Sequence, residues 1–324
     1  MNVIHKIIWN ANRRTWIAVA ETVRGRSRSG KGKKLRAMTA LVPLGIVILT
    51  GEPAFANYTS DVFSGTVYNE SIDDGGVQLV DCQYAGMCGT AISTTISWGT
   101  QTIRSTVGDY NAASGTILRG TSYLGVPPQY AVQNVYNGSA YDTVVMDNGV
   151  LNVYGGKVEY ATVTNAYDRR NADGVMNVSG GSVSNARIWG GRQYVYAGNV
   201  DYTDIGDGGV QVVSGGNVSG TTIEQGLQQV LGGTVVGTTI NNGGVSQVLN
   251  GGVTRSMVIN AGGLQVVSAG GIASDAKINN GGTLSVSAGG TATAVTQNAG
   301  GALVANTDTN VTGTNALGAF SIDA

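Results

Sequence analysis

Three consecutive stretches decide the fold: NNGGVSQVLNGGVTRSMVI (residues 241–259), NAGGLQVVSAGGIASDAKI (260–278) and NNGGTLSVSAGGTATAVTQ (279–297). They align end to end at an interval of 19 residues, and Gly243-Gly244, Gly262-Gly263, Gly281-Gly282 and Gly300-Gly301 hold that interval without a slip. A second set, Gly251-Gly252, Gly270-Gly271 and Gly289-Gly290, divides each period into steps of 11 and 8 residues, which predicts two corners per repeat. Asn241, Asn260, Asn279 and Asn298 each stand two places before a glycine pair. Between corners, Val248, Val267 and Val286 recur, as do Val245 with Leu264, and Ile240 with Ile259 and Ile278.

Glycine reaches positive φ without steric cost and Asn tolerates it, so the pairs read as tight turns. Val, Ile and Thr suit a pleated, half-buried surface. A helix is excluded, because Gly about every ten residues would cost roughly 1 kcal/mol each relative to Ala with no apolar stripe of period 3.6 to offset it. A constant rung length stacks equivalent residues about 4.8 Å apart in parallel register around a narrow apolar core. The expected fold is therefore all-β, a right-handed parallel β-helix of about 19 residues per rung. At the inside corner the four Asn either form a side-chain amide ladder along the axis or serve only as turn formers.

Working outward, looser glycine corners appear at Gly208-Gly209, Gly215-Gly216, Gly226 and Gly232-Gly233, and irregular ones at Gly75-Gly76, Gly155-Gly156, Gly180-Gly181 and Gly190-Gly191. All 14 Tyr precede residue 203. The expected organisation is a leader at 1–56, a cap with irregular rungs at 57–206, regular rungs at 207–306 and a tail at 307–324. The largest insertions are expected between residues 57 and 140, for example Gly120 to Tyr130. Some 14 turns would make a rod of roughly 65 Å.

The chain has 324 residues, 51 of them Gly, and only 12% are charged. It is apolar enough to fold. Ten Lys and Arg but only two acidic residues precede Asn57, which leaves the rest of the chain acidic and argues against nucleic acid as a partner. The leader has a basic run ending at Arg36, an apolar stretch from Ala37 to Leu49 that is shorter than the roughly 20 residues of a membrane span, and an A-x-A cleavage site at Ala54-Phe55-Ala56. Cleavage is expected between Ala56 and Asn57.

Some 30 residues precede that apolar stretch. With Trp9-Asn10, Trp16, Val19-Ala20-Glu21 and Arg24-Gly25, they resemble the extended signal peptide region of Gram-negative type V secreted proteins. Joined to the Gly-Gly repeats, the whole resembles the AIDA-type, self-associating autotransporter adhesins. That resemblance implies Sec export to the cell surface, the outer membrane or the medium. It further implies homotypic contact with the same protein on neighbouring cells, contact with a host surface receptor, and O-glycosylation of Ser and Thr by a heptosyltransferase. No amphipathic strand succession of an outer-membrane barrel follows Gly301, and the last thirteen residues resemble the interior of family passengers, so a truncated passenger is expected.

The single His is His5, in the leader. Ser-His-Asp and Cys-His pairs and His-containing zinc sites are thereby excluded from the exported part. Asp73-Asp74 reads as a turn beside Gly75, and Asp201, Asp204 and Asp207 depart from calcium-repeat spacing. No catalytic residue, metal or cofactor is expected. Cys82 and Cys88, in an exported chain, are expected to close a disulfide loop. Candidate O-glycosylation positions are Thr221, Thr222, Thr238, Thr239, Ser246, Thr254, Ser268 and Ser287, and the simpler reading of the same residues is sheet solubility. The candidate association face comprises Asn250, Arg255, Asp275 and Lys277. Function then reads as a non-enzymatic adhesin; the alternatives are a β-helix carbohydrate-active enzyme using the clustered Asp, or an inert stalk.

Overall fold

A computed structural model of the chain describes residues 5–10, 15–20, 59–84, 87–105, 112–120, 128–165 and 173–323. The cleavage site at Ala56 and Asn57 and most of the Gly120 to Tyr130 stretch lie outside these residues. In the leader, His5–Asn10 and Thr15–Ala20 pair antiparallel as a compact unit of their own.

From Thr59 onward the described chain is a parallel β-solenoid of about 12 turns with a spacing of about 19 residues. The expectation of 14 turns is corrected because several turns carry extra residues. Val80 is paired with Ile103, Ile103 with Val135, and Val153 with Val178, whereas Val248, Val267 and Val286 follow one another at the regular interval.

Each turn has three strands, as in Val245–Val248, Val253–Arg255 and Val258–Ile259. These pair in register with Leu264–Val267, Ile272–Ser274 and Lys277–Ile278 of the next turn. The two-corner reading is thus corrected to three. The glycine pairs build the first corner, after the first strand, and the third corner, after the third strand. The second corner is a single residue in the left-handed region: Gly220, Gly237, Ser256 (φ 54), Asp275 (φ 56) and Ala294 (φ 53) in successive turns. Its backbone N–H donates to the next turn, Ser256 to Ser274 O at 3.0 Å and Asp275 to Thr293 O at 2.9 Å. No one residue type fills that corner in every turn, so no repeated letter marks it.

The two glycines of a third-corner pair have different jobs. Gly243, Gly262, Gly281 and Gly300 all have φ between 72 and 78. Their successors do not. Instead a Cβ on Gly263 would lie 2.4 Å from Ile240 O, and one on Gly282 the same distance from Ile259 O, so the previous turn's backbone leaves room only for glycine.

The Asn ladder is formed. Asn260 Nδ2 donates to Asn241 Oδ1 at 2.8 Å, Asn279 to Asn260 at 2.8 Å and Asn298 to Asn279 at 2.7 Å, while Asn241 Nδ2 reaches Glu224 Oε1 at 2.9 Å. The core, however, is not uniformly apolar. Val213, Val230, Val248 and Val267 form one buried column and Ile223, Ile240, Ile259 and Ile278 another. Beside them runs a column of fully buried glutamines, in which Gln211 Nε2 donates to Gln193 Oε1 at 2.7 Å and Gln228 Nε2 to Gln211 Oε1 at 2.8 Å. An earlier run links Gln78, Gln101 and Gln133 and ends on the buried Glu70, which accepts from Gln78 and Ser60. Amide ladders satisfy polar groups that burial would otherwise penalise by about 1–3 kcal/mol each.

The residue just past the second corner faces these glutamines, and the two positions are matched in polarity. Gln133 meets Thr143, whose Oγ1 donates to Gln133 Oε1 at 3.1 Å. Gln193, Gln211 and Gln228 share turns with the buried Thr203, Thr221 and Thr238; Leu151 and Met176 share theirs with Ala161 and Ala186. In these turns polar sits with polar and apolar with apolar; in the next two, Ser246 shares its turn with Met257 and Gln265 with Ala276.

Candidate functional site

Inward and outward positions alternate along each strand, and this sorts the predicted surface residues. Thr222, Thr239, Ser268 and Ser287 are half-buried on the outer surface. Thr221, Thr238, Ser246 and Thr254 are at most 1% exposed and point into the core, which corrects their assignment as modification sites. Ser246 Oγ donates to Gln228 Oε1 at 3.3 Å, and Thr254 Oγ1 accepts from Gln265 Nε2 at 3.0 Å. A glycosyltransferase has no access to these hydroxyls in the folded chain.

The four association-face candidates are all exposed but do not share a face. Arg255, Asp275 and Lys277 flank the second corner: Arg255 ends a second strand, Asp275 is the corner residue of the following turn and Lys277 opens its third strand. Asn250 lies in the first corner, at the opposite end of Val253–Arg255. Corners that belong to different edges cannot be brought onto one surface by the regular stacking.

The acidic candidates have local roles. Asp73 accepts from Gly76 N–H at 2.9 Å through its carbonyl and from Ser71 Oγ at 3.2 Å, and Asp74 has φ 56, so the pair is a turn. Asp201 accepts from Ser219 Oγ, Asp204 lies on a third strand and Asp207 (φ 50) occupies a third corner. They are strung around one turn rather than gathered on a point.

The cysteines belong to an insertion at a first corner. Gly76–Tyr84 and Met87–Ile92 turn back on each other as an antiparallel pair with Cys82 opposite Cys88, and Cys88 is disulfide-bonded. Nearby, Arg104 pairs with Asp81 at 2.8 Å, and this hydrogen bond and the charge raise the guanidinium pKa further. Lys157 pairs with Glu159 at 2.9 Å, which likewise raises the ammonium pKa.

Aromatic residues decorate the early turns. Tyr136 and Tyr154 stack at 4.8 Å on successive first corners, and Arg187 lies 5.9 Å above the ring of Trp189. A cleft of about 480 Å³ on the outside of the third sheet is lined by Asp142, Tyr160, Thr162, Asn185, Arg187 and Tyr202 among others, with Asp204 at its edge. A second, of about 380 Å³, continues from Asp204 past Trp189 to Glu224 and Asn241. The sequence reading missed both, because their members are separated by whole turns.

An export leader followed by a parallel β-solenoid with weakly charged outer faces defines a class, the secreted passengers of bacterial surface proteins. Comparison with known proteins gives the family. Residues 1–49 match the Extended Signal Peptide of Type V secretion system. The crystal structure of the TibC-catalysed, hyperglycosylated fragment of TibA superposes with a TM-score of 0.56 at 31% identity, covering 77% of this chain and 81% of that one. The trimeric autotransporter adhesin AtaA of Acinetobacter sp. (strain Tol 5) is 37% identical over 67 residues, 20% of this chain; the chain spans 2% of that protein's length. The chain belongs to the AIDA-type autotransporter adhesins of type V secretion, and is exported to the cell surface or outer membrane, or secreted.

Proposed function

We propose that the chain is a non-enzymatic adhesin that promotes bacterial self-aggregation, biofilm formation or attachment to host cells. The observation that carries this reading is the stack of described turns whose outer faces present weakly charged columns of polar and aliphatic side chains. Thr222 stacks on Thr239 and Thr239 on Val258, while Val245, Leu264 and Thr283 form a second outer column and Gln247, Val266 and Ser285 a third, each stepping about 4.8 Å and none carrying a charge. Contacts that are individually weak multiply along such a surface and over many copies on two cells. The chemistry suits two like rods, because hydroxyls and amides both donate and accept.

Partners follow from the same reading. The Sec machinery exports the chain, and the same protein on a neighbouring cell is its first ligand. A heptosyltransferase acting on Thr222, Thr239, Ser268 and Ser287 is proposed from the likeness to TibA, whose fragment is glycosylated by TibC. The deciding experiment displays the chain on cells and follows their settling, alone and mixed with bare cells. Clumping of displaying cells only, altered by raising salt or by lowering pH toward 4, is expected. Settling no faster than that of bare cells would refute the self-associating adhesin.

A further inference from the structure

We propose that the outer face of the third sheet around residues 142–207 binds an extended, neutral hexose polymer, with Tyr160 and Tyr202 as stacking platforms. Second-corner residues sit at positive φ, where Gly, Asn and Asp are at home and a bulky side chain is strained. Asn69, Gly115, Asp142, Asn185, Gly220, Gly237 and Asp275 obey that rule, and Ser93, Ser256 and Ala294 depart from it only with small side chains; Tyr160 (φ 58) and Tyr202 (φ 55) are the bulky departures among the described second-corner residues. Their rings contribute nothing to the core, being 56% and 67% exposed. The Tyr202 ring covers the Gly220 corner of the next turn, but a bulky residue held at positive φ outside the core is accounted for by what its exposed ring face can touch.

Both rings line the same cleft. The hydrogen bonds from Tyr160 N to Ser184 O and from Asn185 N to Asp201 O place Tyr160, Asn185 and Tyr202 on three successive turns. The tyrosines are therefore two turns apart, about 10 Å along the axis. A ribbon-like hexose chain such as cellulose or chitin repeats every second sugar, and its rings turn apolar C–H faces to aromatic planes. Asn185, Asp142 and Asp204 stand between and beside the platforms, where an amide and two carboxylates can take sugar hydroxyls. Trp189, 42% exposed on the intervening turn, extends the aromatic surface toward the second cleft. Across the two clefts Asp142, Asp204, Asp207 and Glu224 outnumber Arg187, so an acidic polymer is repelled. The groove lies among the early turns and is independent of homotypic contact.

The test measures binding of cellohexaose, chitohexaose and polygalacturonate to the full chain and to the double variant Tyr160→Gly, Tyr202→Gly by calorimetry. The wild type is expected to bind at least one neutral hexamer and not polygalacturonate. The variant should bind about 2- to 10-fold more weakly for each ring lost. Its thermal midpoint should stay or rise, because glycine relieves the left-handed strain. No binding of either neutral hexamer, preference for polygalacturonate, undiminished binding by the variant, or a fall in its midpoint would each overturn the proposal. Cell settling measured in parallel keeps the readings apart, since failure of the groove leaves self-clumping unchanged.

Discussion

Replacing Gln211 by Leu cuts the buried glutamine column at its centre. Gln211 donates to Gln193 at 2.7 Å and accepts from Gln228 at 2.8 Å, and all three side chains are fully buried. Leu strands one carbonyl oxygen and one amide N–H, each costing about 1–3 kcal/mol. Burying the leucine side chain returns about 1.5–3 kcal/mol. The net is a loss of about 2 kcal/mol, or about 30-fold in the local opening equilibrium. Thr221→Val on the same turn should act in the opposite sense. The Thr221 hydroxyl is buried and unpartnered, so removing it should stabilise by about 1 kcal/mol, or about 5-fold. Because a solenoid's stability is set turn by turn, amide hydrogen exchange resolved over Val210–Val213 and Leu227–Val230 is the suitable assay. Faster exchange in Gln211→Leu and slower exchange in Thr221→Val is expected; two variants shifting the same way would refute the reasoning.

Asn260→Ala removes two rungs of the amide ladder, those to Asn241 and Asn279, and should cost about 1–2 kcal/mol in denaturant unfolding; an unchanged midpoint would reduce the asparagines to turn formers. Peptide mapping after co-expression with a glycosyltransferase should find sugar among Thr222, Thr239, Ser268 and Ser287. Sugar on Thr221, Thr238, Ser246 or Thr254, all buried, would contradict the inward assignment. Cys88→Ser opens the hairpin staple and, on the chain-entropy model, should cost up to about 2–3 kcal/mol, read as earlier protease cleavage between Gly76 and Ile92; identical cleavage kinetics would show that the hairpin holds without it.

Much of this was written in the repeat. Glycine pairs at a fixed interval oblige the chain to turn, β-branched residues between them oblige it to extend, and equal intervals leave parallel stacking as the way to bury Val248, Val267 and Val286 together. The Asn column was visible too, since residues at one register position must meet, but the choice between an amide ladder and turn formers was made only by the side-chain geometry. Even the buried hydroxyls left a signal: Ser246 has the parity of Val248, and Gln133 with Thr143, Leu151 with Ala161, Gln193 with Thr203 and Gln211 with Thr221 keep one separation and change polarity together.

Which side a residue takes around the second corner was decided only in three dimensions. Thr221 and Thr222 are neighbours of the same kind, yet one is inside and the other outside, because a single left-handed residue before them resets the alternation. The groove was beyond reach for a related reason. Tyr160, Asn185 and Tyr202 are unremarkable letters a turn apart, and they become a surface only when coiling sets successive turns at strand-pairing distance. Local chemistry fixes where the chain bends; which outer side chains become neighbours follows from the number of residues between bends, and insertions vary that from turn to turn.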